Sequence, residues 1–371
     1  MSKYPIRILH MIASLEMGGS QSMVMNIYRS IDRNKVQFDF IIDHTDKDDY
    51  KDEIKRLGGK IYILPTFKGK NIMEVCKAWN DFFKKHHEYK VIHTHSRSYA
   101  SIYLPIAKKH GLITIAHSHS TSNGRGLTSI IKNAMQLPIR YQADYMFACS
   151  KKAGEWLFGK KAIGSKQFRV LPNAIDSYKF KYDLKKRDLI RKELGISNEF
   201  VLGHVGRLST PKNHIFLLSI FSEYIKNNPD VRLLLIGDGE LEQEIKAEAK
   251  KRKIENKIYF LGAKLNASDY YQAMDCFVFP SLWEGLGIAV IEAQAADLPV
   301  VCSNNVPQET KVTEIIKFIS LDCPINVWCK EIQSFEGRIR QIDRTKEIRK
   351  AGYDITETSK WLEDFYLKIS K

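Results

Sequence analysis

Short apolar, β-branched runs alternate along this chain with longer stretches in which apolar residues recur every three or four positions, and the rhythm holds from end to end. In the first half the runs IRILHMIA, QFDFIID, KIYIL, KVIHTH, ITIAHSH, YMFACS and FRVLPN predict strands. In the second half FVLGHVG, VRLLLIG, KIYFLG, CFVFPS and PVVCS do the same, each followed by a helical pattern. Strands separated by helices are the units of a parallel sheet, so the expected class is α/β. A polar, strongly charged segment from Asp176 to Asn198 interrupts the series, which then starts afresh. This puts a boundary near residue 175 and divides the chain into residues 1–175, 176–354 and a terminal helix over 355–371. Two doubly wound domains in series turn the C-terminal ends of their strands toward a common cleft, which suits a reaction between two substrates.

With 371 residues the chain is long enough for two ordinary hydrophobic cores. No apolar run approaches the roughly 20 residues of a spanning helix, so a membrane, if met, is met at its surface. The N-terminal apolar stretch is broken by His10 and runs into Glu16 and two glycines, which fits a first strand and its loop better than a signal peptide. The six cysteines form no C-x-x-C pair and read as small core residues of a protein in a reducing, cytoplasmic compartment.

The net charge of +15 changes the picture because it is uneven. Residues 1–170 carry 28 basic against 14 acidic side chains, whereas the remainder carries 30 against 29. A basic first half implies an anionic partner. Without zinc-finger spacing, basic low-complexity tracts or aromatic-glycine motifs, nucleic acid is excluded in favour of a phosphorylated substrate or an acidic lipid surface. Residues 124–141, GRGLTSIIKNAMQLPIRY, combine Arg125, Lys132 and Arg140 with six aliphatic side chains. They read as a helix lying among headgroups, ended or kinked at Pro138, or else as an ordinary core helix.

Candidate chemistry concentrates in the second half. In SLWEGLGIAVIEAQ, Glu284 and Glu292 flank seven residues that begin with the turn Gly285-Leu286-Gly287. A glycine turn opening a helix leaves N–H groups free for an anion, and two glutamates just over two turns apart can serve one bound molecule. In VGRLSTPKN, Gly206-Arg207 and Lys212 supply two cations from one strand-to-helix turn. Gly18 and Gly19, after the first strand, permit close approach to a phosphate; neither the full dinucleotide fingerprint nor a P-loop ending follows, which argues against NAD and ATP hydrolysis. Asp46-Lys47-Asp48 has the form of a D-x-D metal motif but stands in a run that reads as a solvated loop.

Together the Glu-x7-Glu and G-R-x4-K segments resemble those of family-four glycosyltransferases, retaining enzymes of the GT-B fold that use nucleotide sugars. The segments GLGIAVIEAQAADLP and NVPQET are similar to those of bacterial exopolysaccharide and capsule transferases. The resemblance covers nearly the whole chain and is weakest over residues 317–347. It implies two Rossmann-like domains facing a cleft, with the last helix crossing back to the first. It implies that Gly206, Arg207 and Lys212 hold the donor diphosphate, Glu292 the ribose, and Ala263, Lys264 and Leu265 the base. Glu284, Gly285, Leu286, Gly287 and Ile288 would meet the sugar, Gly18 and Gly19 a phosphate, and Asn173, at the domain junction, would either help bind the donor or serve as a turn residue. His117, with His119 next and His95 third, would stand on the acceptor side. For Gly237-Asp238-Gly239 a structural turn is favoured over direct chemistry. The implied reaction moves a hexosyl unit from a UDP-linked sugar to a lipid-linked saccharide with retention. It would need no cofactor and no metal, and would occur at the cytoplasmic face of the plasma membrane. An epimerase of the same fold would need no acceptor, and a silent partner subunit would be expected to have lost one of Arg207, Lys212, Glu284 or Glu292.

Overall fold

A computed structural model describes residues 4–16, 18–44, 49–121 and 126–370. They form two compact units, one of residues up to Ala174 together with those from Ile355 onward, the other Ile175–Asp354.

The first unit is built on a parallel sheet of β1 (Ile6–Met11), β2 (Val36–Ile42), β3 (Ile61–Ile63), β4 (Val91–Thr94), β5 (Ile113–Ser118), β6 (Tyr145–Ala148) and β7 (Phe168–Val170), in the order β3-β2-β1-β4-β5-β6-β7. Every residue of β2 is buried, as a central strand covered on both faces requires. Its one carboxylate, Asp39, accepts from Arg7 at 2.5 Å and from the Tyr89 hydroxyl at 2.7 Å, which compensates the loss of water. The helix Ile355–Ile369 belongs to this unit. Leu362 and Tyr366 enter its core, Phe365 stacks edge-on to Phe147 at 5.3 Å, and Ser359 meets Ser30 at 2.8 Å.

The segment read as a lipid-facing or core helix is two helices, Leu127–Gln136 and Ile139–Gln142, separated at Pro138. The first is inverted. Its buried residues are Ser129 and Gln136, while Leu127, Ile130 and Ile131 are 80%, 64% and 61% exposed. It is therefore no ordinary core helix. Arg125 lies outside the described residues, as do Asp46, Lys47 and Asp48.

The second unit repeats the topology with β8 (Phe200–Val205), β9 (Val231–Ile236), β10 (Ile258–Phe260), β11 (Cys276–Phe279), β12 (Val300–Ser303) and β13 (Ile316–Ile319), ordered β10-β9-β8-β11-β12-β13. The family resemblance is weakest over residues 317–347. They hold most of β13 at the sheet edge, then the helix Ile325–Gln333, whose Trp328 and Ile332 are buried in the core. The chain beyond is tied down by Asp297, which accepts from Arg338 at 2.7 Å, Arg344 at 3.0 Å and the backbone of Gln341 and Ile342. In each unit the strand order reverses beside the first strand, between β1 and β4 and between β8 and β11, the place where doubly wound sheets receive ligands.

Candidate active site

At the second switch point the loops after β8 and β11 are laced together. The Leu282 N–H donates to the Pro211 carbonyl at 2.8 Å, and Asn213, in a left-handed conformation, donates its amide to the Pro280 carbonyl at 3.2 Å. This brings Lys212 to Glu284: Nζ donates to Oε1 at 2.6 Å and lies 4.7 Å from the Phe279 ring centre. Both side chains are mostly buried.

Arg207 projects from the same loop and pairs with Glu240 at 3.1 Å, both groups more than half exposed. Exposed pairs of this kind exchange readily for a better anion. The backbone under Arg207 is fixed by the Gly237-Asp238-Gly239 turn: the Leu208 N–H donates to the Asp238 carbonyl at 2.7 Å and the Leu241 N–H to the Leu208 carbonyl at 3.0 Å. Gly237 has φ 135°, and a Cβ there would stand 2.1 Å from the Gly206 carbonyl oxygen. The turn thus carries the arginine loop directly on its backbone. Its Gly237 N–H also donates to Gly262 at 2.9 Å, which sets the following residues Ala263, Lys264 and the exposed Leu265 beside it.

Gly287, at φ 89°, starts the helix Ile288–Ala295 without a side-chain cap, after Gly285 and the buried Leu286. Glu292 lies one turn along. Burial pushes its carboxyl up to about 6, opposed by a 2.8 Å bond from the Tyr271 hydroxyl and by the charges of Lys179 and Lys212. Glu292 is thus a buried carboxylate with one ordered donor, the Tyr271 hydroxyl. Tyr271, Phe279 and Asn213 escaped the sequence reading, because nothing in the spacing of YYQAMD or CFVFPS reveals which distant carboxylate or ammonium they meet.

At the first switch point Gly18 is the extended N-cap of the helix Gly19–Ser30, again without a side-chain cap, and Gly19 is exposed. Met17, in the same loop, lies outside the described residues. In this unit five histidines converge from the ends of β1, β4 and β5. His93 and His95 share one face of their chain by strand alternation, as do His117 and His119, and His10 pairs in register with His93. His10 Nδ1 lies 3.0 Å from His95 Nε2, His95 Nδ1 lies 2.8 Å from His119 Nε2, and His117 Nδ1 lies 3.3 Å from His93 Nε2. The Tyr366 hydroxyl closes the row, 2.6 Å from His93 Nδ1. Burial lowers all five, His10 and His119 to about 3, so the imidazoles are neutral. His117, the first choice on the acceptor side, has no exposed surface, whereas His119 and His95 are half-buried. Direct contact with a solute is therefore open to the second and third choices and not to the first as packed. Asn173 is buried beside His119. His10 and His93 were missed, although H-T-H and H-S-H at neighbouring strand ends were the signal available.

Comparison with known proteins agrees with this architecture. Residues 17–178 match the family described as Glycosyltransferase Family 4, and residues 186–315 that described as Glycosyl transferases group 1. The chain is 31% identical over 358 residues to the putative glycosyltransferase EpsF of Bacillus subtilis, covering 94% of this chain and 93% of that one. It is 28% identical over 270 residues to the UDP-Gal:alpha-D-GlcNAc-diphosphoundecaprenol alpha-1,3-galactosyltransferase of Escherichia coli, covering 69% and 68%. HepE of Anabaena, solved with UDP and glucose, superposes with a TM-score of 0.78 at 17% identity over 98% of this chain and 100% of that one. With two doubly wound units, family matches over both of them and a relative matched over nearly its full length, the chain belongs to the family-four glycosyltransferases of GT-B fold, in the exopolysaccharide and capsule group.

Proposed function

We propose that the protein is a retaining hexosyltransferase that takes its sugar from a UDP-sugar and delivers it to a lipid-linked saccharide. The observation that carries this reading is the 2.6 Å contact of Lys212 with Glu284 at the start of the helix that bears Glu292. It sets a cation for a diphosphate beside a carboxylate for sugar hydroxyls, with a second carboxylate farther along for ribose. The names of relatives support the substrate classes: the E. coli protein is a UDP-Gal-dependent transferase acting on a diphosphoundecaprenol-linked sugar, and HepE was crystallised with UDP and glucose.

In this reading Arg207 and Lys212 meet the charge that grows on the diphosphate as the C1–O bond breaks, through contacts that strengthen along the reaction. The uncapped helix starts at Gly287 and Gly18 add N–H donors. Ala263, Lys264 and Leu265 offer backbone to the base, and Glu284 orients the sugar without forming a covalent bond. The acceptor oxygen attacks from the face the diphosphate leaves, so configuration is kept, and its proton passes to the departing phosphate oxygen. His119 and His95, with the His117 ring stacked on His119 at 4.2 Å, serve the acceptor side. The diphosphate is neutralised by side chains and needs no divalent ion. The inverted helix Leu127–Gln136 in the basic unit rests on acidic lipid at the cytoplasmic membrane face, beside the lipid-linked acceptor.

The test is a calorimetric screen of common UDP- and GDP-sugars, followed by mass measurement of products formed on membrane lipids. A hexose-sized gain on a lipid-linked saccharide, with UDP released, is expected. Conversion of the donor sugar without acceptor would make the protein an epimerase, and donor binding without any product would make it a partner subunit.

A further inference from the structure

The histidine row in the first unit does more than its place on the acceptor side demands. One ring nitrogen from each of His95, His117 and His119 lies within 4.8 Å of the other two. We propose that these three imidazoles bind a divalent d-block cation of the zinc class in the first unit, apart from the donor diphosphate.

The contacts on the far side of each ring select the ligand atoms. His95 Nε2 is occupied by His10, leaving Nδ1 to face inward; His117 Nδ1 is occupied by His93, leaving Nε2. His119 Nε2 stands 2.8 Å from His95 Nδ1, and its other edge lies toward Asn173. Bound imidazoles are oriented in this way, each by a partner on the nitrogen the metal does not take. The outer partners are themselves fixed, since His93 is held by the Tyr366 hydroxyl at 2.6 Å. The inner nitrogens of His95 and His119 stand 2.8 Å apart and the set lies within 4.8 Å, which brackets the roughly 3.3 Å between ligand nitrogens around a tetrahedral ion with metal–nitrogen bonds of about 2.0–2.1 Å. In the hydrogen-bonded stack the fully buried His117 Nε2 lacks a well-formed partner, the backbone of Leu171 being the group that the ring otherwise meets. A cation gives it one. His95 and His119, each only partly covered, lie on the side open to solvent, and an all-imidazole set without carboxylates suits zinc, nickel or copper better than magnesium or calcium. Three protein ligands leave a coordination position for water or a hydroxyl.

The full chain, stripped with chelator, is dialysed against Zn2+ and its metal content measured; Co2+ is then titrated while the visible absorption of tetrahedral cobalt is followed. One Zn2+ retained per chain, the cobalt band, and a rise in melting temperature with Zn2+ are expected. His117→Ala and His119→Gln should each weaken retention at least about tenfold, while His86→Ala, outside the row, leaves it unchanged. Absence of both retained zinc and the cobalt band in the unaltered protein overturns the site whether or not the variants fold. Equal retention in the folded His117→Ala and His119→Gln variants overturns it too. None of these measurements involves donor or acceptor, so the outcome is separate from that of the transferase reading.

Discussion

Burial raises the Glu292 carboxyl to about 6, which brings its ionisation within reach of ordinary assay conditions. Ribose hydroxyls donate to the anion, so binding favours the ionised form and a UDP-sugar should bind tightest above that value. Affinity for UDP-glucose, measured by calorimetry between about pH 8 and about pH 5, should fall as the pH drops through about 6. Glu292→Gln should bind more weakly and lose the step; a step of equal size in that variant would remove the assignment. The same raised carboxyl favours the folded state in acid, fully below the ordinary glutamate range, and the contribution is lost as the pH rises through about 6. Arg207→Ala and Lys212→Ala should each lower turnover more than about tenfold, since a charge-assisted contact to a leaving group is worth roughly 1.5–3 kcal/mol. Near-normal rates in both, with the fold intact, would dissolve the diphosphate site. Arg207, Lys212, Glu284 and Glu292 could be singled out in the sequence because the motifs fix their type and spacing. That Lys212 touches Glu284, or that Tyr271 bonds to Glu292, was not, since such contacts are made by chain closure across 72 and 21 positions.

Among the elements, the Gly237-Asp238-Gly239 turn has the clearest consequence. Gly237→Ala must displace the Gly206 carbonyl from 2.1 Å and hold an L-residue at φ 135°, so it shifts the loop that bears Arg207. A fall in melting temperature together with at least about tenfold loss of turnover is expected, and an unchanged rate would show that the turn does not govern the arginine. The central strands were readable because burial on both faces makes them continuously apolar, as in VQFDFII and CFVF. β13 was not: it has four residues, two of them turned away from the core at the sheet edge, so IKFI carries little signal. The helix Leu127–Gln136 was legible as amphipathic but not as inverted, because sequence periodicity shows that two faces differ and not which one the fold covers.

For the whole molecule, the uneven charge and the inverted helix act together. Vesicles containing acidic phospholipid should carry the protein upward on flotation, less so as salt rises, because exposed charges are screened over about 8–10 Å at physiological ionic strength. Replacing Arg125, Lys132 and Arg140 together with Gln should reduce recovery, as should Ile130→Ser with Ile131→Ser. Equal recovery on neutral and acidic lipid would defeat the membrane assignment and leave the transferase standing. In the proposed reading labour is divided between one helix and the turn that opens it, with Glu284 before the turn serving the sugar and Glu292 on the helix the nucleotide. Titration of UDP alone into Glu284→Ala and Glu292→Ala tests it most directly. The account predicts that Glu292→Ala loses about tenfold or more in affinity, while Glu284→Ala binds UDP at least as well as the unaltered protein, because Lys212 is released to the diphosphate, yet fails to transfer. Loss of UDP binding in Glu284→Ala with normal binding in Glu292→Ala would contradict it.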